Sequence, residues 1–175
     1  MSTGIGYDCH RFAPGRRLVL GGVEIDHDRG LEGHSDADVL THAVIDALLG
    51  AAGLGDIGEH FPDTDERWHD ADSLELLASV VGMVGAAALR IVNVDCTVMM
   101  ERPKLGAHRG EIRSLLAQVL GLDVNRMNVK ATTGEGIGFV GRGEGVAALA
   151  IASLEEVPAG EQAGDRRTRG AGRAR

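Results

Sequence analysis

Residues 3–12 read TGIGYDCHRF and residues 35–50 read SDADVLTHAVIDALLG, and these two stretches decide the architecture. The first reads as a strand, joined through a Pro14-Gly15 turn to a second strand at 17–25, RLVLGGVEI. The second opens on Ser35, with Asp38 three residues later in capping-box position. Val39, Ala43, Ile45, Leu48 and Leu49 carry an apolar periodicity to about Gly50, which predicts a helix.

Outward from this pair, residues 53–71 (GLGDIGEHFPDTDERWHDA) break all periodicity with three Gly, one Pro and six acidic residues, a loop composition. A second helix is predicted from Asp72 or Ser73 to about Ala88. RIVNVDCTVMM (90–100) alternates and is β-branched, so it reads as a strand. A helix follows near 107–120, and NVKATT (128–133) and GVAALAIASLEEV (145–157) read as the last strands. The order β-β-α-α-β-α-β-β predicts one mixed sheet covered by helices, an α+β sandwich within the broad α/β class. Residues 1–157 form the expected domain; residues 158–175 lack any hydrophobic pattern and are expected to be a disordered Arg/Gly/Ala-rich tail.

Apolar residues make up 43% of the 175 and aromatics only 3%, so the core must be built from Ala, Val, Leu and Ile. No apolar run reaches the roughly 18 residues of a membrane span, and no basic-then-apolar leader opens the chain. Cys9 and Cys96 form neither a metal-type pair nor a disulfide framework. These features predict a cytoplasmic protein with no membrane partner. The net charge is −8; residues 158–175 carry +3, so the first 157 carry −11. Such an acidic body argues against nucleic-acid binding, which rests on phosphate neutralisation by Lys and Arg. To bind phosphates it needs a metal, a few placed cations or backbone N–H groups.

Asp8 and His10, one residue apart on a strand, point to the same face, and Cys9 points to the other. His42 lies in the first half of the following helix. Two His and one carboxylate suit zinc with an open position, though non-haem iron takes a similar set. Asp38, His42 and Asp46 share a helix face, so a carboxylate is expected to orient the free N–H of His42. The pairs His27-Asp28 and His69-Asp70 sit in predicted turns and are rejected as phosphohydrolase motifs. GFVGRGEG (138–145) lacks the context of a dinucleotide loop. The wider segment 130–145 still combines Gly backbone, Thr132, Thr133, Glu135 and Arg142 in a way that suits phosphates and a divalent ion. Both lysines of the chain, Lys104 and Lys130, fall inside candidate binding segments.

GYDCHRF, GLEGHSDADVLTHAVIDALLGAAGLGDIGEHFPDTD, NVDCTVMMERPK, NVKATTGEGIGF and GRGEG stand in order. Together they closely resemble the 2-C-methyl-D-erythritol 2,4-cyclodiphosphate synthase family of the non-mevalonate isoprenoid pathway. The resemblance runs from about Gly4 to Val157. It implies a CMP-releasing, cyclising phosphorus-oxygen lyase acting on 4-diphosphocytidyl-2-C-methyl-D-erythritol 2-phosphate. It implies Zn²⁺ on Asp8, His10 and His42, and a second divalent ion, Mg²⁺ or Mn²⁺, on Glu135. His34 and Thr133 match transition-state-stabilising positions. Ser35, Asp56, Ile57, Gly58, Phe61, Pro62, Asp63, Thr64 and Asp65 match the methylerythritol-phosphate side. Met100, Pro103, Lys104, Leu105, Gly106, Ala131 and Thr132 match the cytidine side, and Phe139 and Arg142 match further contacts. Gly134, Gly136 and Gly106 depart from the family's usual residues. The implied fold is a small α/β domain with a four-stranded mixed sheet, an N-terminal hairpin and helices on one face. The implied assembly is a homotrimer with active sites at subunit interfaces. A zinc-dependent phosphohydrolase and a non-catalytic phosphometabolite-binding subunit are the competing readings.

Overall fold

The structure, a computed structural model, describes residues 1–158. The expected disordered tail lies outside the described residues, apart from Pro158. The described residues form seven strands: β1 (Ser2–Pro14), β2 (Leu18–Leu20), β3 (Val23–Ile25), β4 (Arg29–Leu31), β5 (Leu89–Met99), β6 (Met127–Thr132) and β7 (Gly145–Glu156). The helices are α1 (Val39–Ala52), α2 (Ile57–His60), α3 (Ser73–Ala86), α4 (Arg109–Leu120) and α5 (Gly138–Gly141). Five strands form one mixed sheet in the order β4-β1-β7-β5-β6. Only β5 and β6 run parallel, and α4 makes the crossover between them.

Two expectations are corrected. The sheet has five strands rather than four, because β4 adds an edge by pairing Phe12 with Leu31. Residues 17–25 are not one strand paired with 3–12. Gly21 (φ 60°) and Gly22 (φ 75°) make a two-residue turn, so the segment closes on itself as the β2-β3 hairpin. This frees β1 to pair with β7, from Ser2↔Leu154 to Arg11↔Gly145.

The first helix begins at Val39, not Ser35. Asp38 is its N-cap, accepting from Leu40 N at 3.1 Å and Thr41 N at 3.0 Å. The same carboxylate accepts from Gly21 N (2.9 Å) and Gly22 N (2.7 Å), so it ties the helix start to the β2-β3 turn. Burial pushes the Asp38 carboxyl up, against the downward pull of these hydrogen bonds.

Small residues set the spacing between α1 and β1. A Cβ at Gly6 would lie 2.0 Å from Ala43 O, and one at Gly4 would lie 2.2 Å from Ala47 O. The helix therefore rests almost on the strand backbone, and Ala43, Ala47 and Ala51 line the contact. That approach brings a side chain on α1 within reach of side chains on β1. The core is aliphatic, as composition requires; Phe12 is the only aromatic residue in it among the described residues. Among the described residues no helix covers the opposite sheet face, which exposes Ile5 (65%), Tyr7 (53%) and Ile151 (40%). No helix among the described residues is long and apolar enough to cross a membrane.

Candidate metal and substrate site

Asp8 and His10 project from β1 and His42 from the first turn of α1, and their ligand atoms converge. Asp8 Oδ2 lies 3.0 Å from His10 Nε2 and 3.1 Å from His42 Nδ1, and the two ring nitrogens are 3.4 Å apart. A tetrahedral ion about 2.0–2.1 Å from each donor requires separations of about 3.3 Å. The three side chains fit such an ion.

The imidazole tautomers are set from behind. His10 Nδ1 donates to Glu32 O at 2.7 Å, which leaves Nε2 to present a lone pair. Ser73 Oγ gives its proton to Asp36 Oδ1, so it can only accept from His42 Nε2, at 2.9 Å. Ser35 Oγ lies 3.2 Å from the same nitrogen. The free lone pair of His42 is therefore on Nδ1, the atom facing Asp8. Burial opposes ionisation of Asp8, but the two imidazoles outweigh it and hold the carboxyl well below the usual carboxylate range. Burial also pulls His10 down, and Asp8 outweighs it, with help from the Glu32 carbonyl, so its pKa is raised. A cation bound there competes with that proton.

The expected carboxylate behind His42 is a correction. Asp38 is committed to the helix cap and Asp46 Oδ1 accepts from Ile57 N at 2.8 Å. The N–H of His42 is oriented by a hydroxyl instead, with Asp36 one step further out. Ser73 and Asp36 were not singled out by sequence reasoning. They lie 37 positions apart, and neither carries a ligand-type spacing.

Above the triad opens a cavity of about 520 Å³. Of the residues singled out in sequence, His34, Ser35, Ile57, Gly58, Phe61, Pro62 and Asp63 line it beside the triad. Three do not. Asp56 caps α2 through Glu59 N (3.0 Å), Asp65 is paired with Arg67 (2.6 Å), and Thr64 is exposed outside the lining. Trp68 and Leu76 line the cavity and were missed. Trp68 stacks edge-on against Phe61 at 5.1 Å; its place in the aperiodic loop, as the only Trp of the chain, was the available signal.

A second cavity of about 280 Å³ is lined by Met100, Pro103, Lys104, Leu105, Ala131, Thr132 and Thr133. This gathers the proposed cytidine set, with Thr133 added and Gly106 left out. Lys130 does not join it; its ammonium pairs with Asp95 on the uncovered sheet face. Cys9, Ala147, Met99 and Thr132 form one cross-strand row. The second cavity thus lies at the same end of the sheet as the triad, three strand spacings or about 14 Å away. The two cavities share no lining residue.

Next to the second cavity, Thr133 Oγ1 donates to Glu135 Oε1. Glu135 is exposed, with φ at 50°, and Glu101 Oε1 accepts from Gly134 N (2.9 Å) beneath it. A Cβ at Gly134 would sit 2.5 Å from Gly141 N, which accounts for glycine there in this chain. Phe139 lines a separate recess of about 190 Å³ with Cys9, His10, Arg11 and Glu144. Arg142 pairs with Glu144 at 2.7 Å and faces neither large cavity.

The chain is 59% identical over 155 residues to the 2-C-methyl-D-erythritol 2,4-cyclodiphosphate synthase of Salinibacter ruber, covering 89% of this chain and 99% of that protein. It is 58% identical over 157 residues to the bifunctional enzyme IspD/IspF of an Anaeromyxobacter species, covering 90% of this chain but only 40% of that longer protein. A solved 2C-methyl-D-erythritol-2,4-cyclodiphosphate synthase with bound CDP superimposes with a TM-score of 0.81 at 37% identity, over 87% of this chain and 99% of that one. The YgbB family model matches residues 1–155, which takes in every strand but the last residue of β7 and all the side chains described above; the chain belongs to that family.

Proposed function

We infer that this chain is a 2-C-methyl-D-erythritol 2,4-cyclodiphosphate synthase. The observation that carries the reading is the pre-set Asp8, His10 and His42 triad at the floor of a cavity, in a chain that matches such synthases almost end to end. The 2-phosphate oxygen of 4-diphosphocytidyl-2-C-methyl-D-erythritol 2-phosphate attacks the β-phosphorus. The bond to the cytidylyl phosphate breaks, CMP carries away the electron pair, and the cyclic diphosphate closes. No water is consumed and no side chain becomes covalent, so the protein has to supply proximity and charge neutralisation.

Asp8, His10 and His42 would hold Zn²⁺ and Glu135 a Mg²⁺ or Mn²⁺ ion, and these ions when bound supply positive charge to the phosphate oxygens. His34 and Ser35 face the cavity beside the triad and would donate to phosphate oxygens as charge moves. Ile57, Gly58, Phe61, Pro62 and Asp63 would hold the methylerythritol phosphate, with Asp56, Thr64 and Asp65 shaping the turn that carries them. Met100, Pro103, Lys104, Leu105, Ala131 and Thr132 would take the cytidylyl part, with Gly106 behind them. Thr133 would act at the bridge phosphates beside Glu135, and Phe139 and Arg142 would lie at the rim.

The cytoplasm is the proposed setting and a homotrimer the proposed assembly. Ile5, Tyr7 and Ile151 on the uncovered sheet face suit burial against further copies of the chain. Two cavities without a shared wall suit a site made from one subunit's triad and its neighbour's cytidine pocket. The test is incubation of the metal-loaded protein with the cytidylyl substrate. Cyclic diphosphate plus CMP is the expected outcome. CMP with an open phosphate would instead make the chain a hydrolase, and absence of product would make it a binding subunit.

A further inference from the structure

Arg16 stands in the turn between β1 and β2, and none of the roles above uses it. Past Leu31 the chain leaves the sheet and bends through residues 33–36 before Asp38 caps α1. His34 and Ser35 lie on that bend, where no neighbouring strand supports the backbone. The guanidinium of Arg16 supplies the missing donors. Nε donates to Leu31 O at 3.3 Å, and Nη2 donates to Gly33 O at 3.2 Å and to Ser35 O at 2.7 Å. Nη1 reaches Asp70 Oδ1 at 3.4 Å, and the backbone N–H of Asp70 donates to His34 O at 2.9 Å.

The remaining carbonyl, Glu32 O, accepts from the metal-facing ring of His10. Every carbonyl from 31 to 35 is therefore engaged, three of them by one side chain. Only a planar fork with several N–H groups can do this; a lysine ammonium is a point donor on a flexible stem. Asp70 completes the frame from the far side, with φ at 54° turning its N–H and its carboxylate towards the same segment.

We propose that Arg16 is a positioning residue for the cyclisation, a clamp that holds residues 33–35 so that His34 and Ser35 face the cavity above the triad. This rests on the reading of those two side chains as phosphate-facing. It assigns function to a residue that lines neither the cavity above the triad nor the cavity of the proposed cytidine set. Its effect falls on the orientation of groups around the reacting phosphates. Displacement of the bend by about an ångström lowers turnover by about 30- to 100-fold and leaves the cytidine side untouched.

The test uses the full-length, zinc-loaded protein with three forms: wild type, Arg16→Ala and Arg16→Lys. Expected for Arg16→Ala is a fall in kcat of about 30- to 100-fold, with KM within a factor of about three of wild type and unchanged zinc per chain. Added ethylguanidinium should restore part of that kcat. The Arg16 side borders a recess of about 310 Å³ that also holds Arg17, Asp36 and Asp70, and this gives the ion a way in. Arg16→Lys should be as slow as Arg16→Ala. A kcat near wild type in Arg16→Ala, loss of zinc with turnover, or no response to ethylguanidinium would overturn the clamp. Wild-type turnover in the same assay checks the parent reading separately. If wild type forms no cyclic product, hydrogen exchange decides: amides 32–37 should exchange faster in Arg16→Ala and slow again with ethylguanidinium, and unchanged exchange there would sink the proposal.

Discussion

Asp8, His10 and His42 stand on regular elements, and each imidazole is fixed a second time by a hydrogen bond from behind, to Glu32 O or to Ser73 Oγ. Thr133, Glu135 and Arg142 stand on turns; Glu135 and Arg142 are exposed, and what bonds them is another side chain of the same turn. One half of the proposed site is pre-organised by the fold, and the other half is shaped but open. Geometry that has to match a metal ion within a few tenths of an ångström is placed where backbone packing enforces it. The groups proposed to meet a flexible substrate sit where local adjustment costs little.

The largest expected effect breaks the ordered half. His42→Ala should empty the zinc site and lower turnover by at least about 10³-fold while circular dichroism still reports a folded chain. Elemental analysis that finds undiminished zinc would mean the triad is not the metal site. Glu135→Gln tests the open half. Turnover should fall about 100-fold, with zinc content and thermal midpoint unchanged because the side chain is exposed. A large drop in the midpoint would show that the turn is as built-in as the triad.

Mixing asks whether the halves come from different chains. His42→Ala and Lys104→Ala, dissociated and reassembled together, should regain activity below the wild-type level, since some interfaces pair two intact halves. Mixed assemblies verified by native mass spectrometry that remain as inactive as either parent would place both halves in one chain.

Two smaller effects probe the packing beneath the triad. Gly6→Ala puts a Cβ 2.0 Å from Ala43 O, so α1 must move off β1. The expected loss is about 1–3 kcal/mol of stability, read by denaturant unfolding, together with weakened zinc binding as His42 shifts from Asp8. Full zinc affinity in this variant would show that the triad tolerates helix displacement. Last, burial pushes the Cys96 thiol up to about 12. It should therefore resist alkylation at mildly basic pH in the folded protein and react after unfolding, as mass spectrometry of the labelled chain would read. Rapid native labelling at Cys96 would mean the β5-β6 side of the core opens readily.

Strands at 3–12, 90–100, 128–133 and 145–157 and three helices were legible because each carries its own periodicity, and the structure moves their ends by a few residues. The candidate metal triad was legible for a related reason: Asp8 and His10 share one strand face, and His42 stands with Asp46 on the polar stripe of a mostly apolar helix. The β2-β3 hairpin was misread because Gly21-Gly22 can sit inside a strand or turn it back. The turn wins because its two N–H groups are captured by Asp38, sixteen and more residues away.

By itself, the sequence determined the aliphatic character of the core, the order of the main elements, the residues available as metal ligands and the motif set that points to the synthase family. Those depend on local periodicity and residue chemistry, which a linear reading contains. Only the tertiary structure decided that β1 pairs with β7, that a fifth strand closes the edge, and that Ser73 rather than a helix carboxylate orients His42. It alone showed that Lys130 turns away to Asp95 and that Arg16 spans three carbonyls of the His34 bend. Each of these is a choice among several partners of similar local merit. That choice is made by which backbones can approach, and here the glycines of β1 under the alanines of α1 set the distance at which every other group had to find its partner.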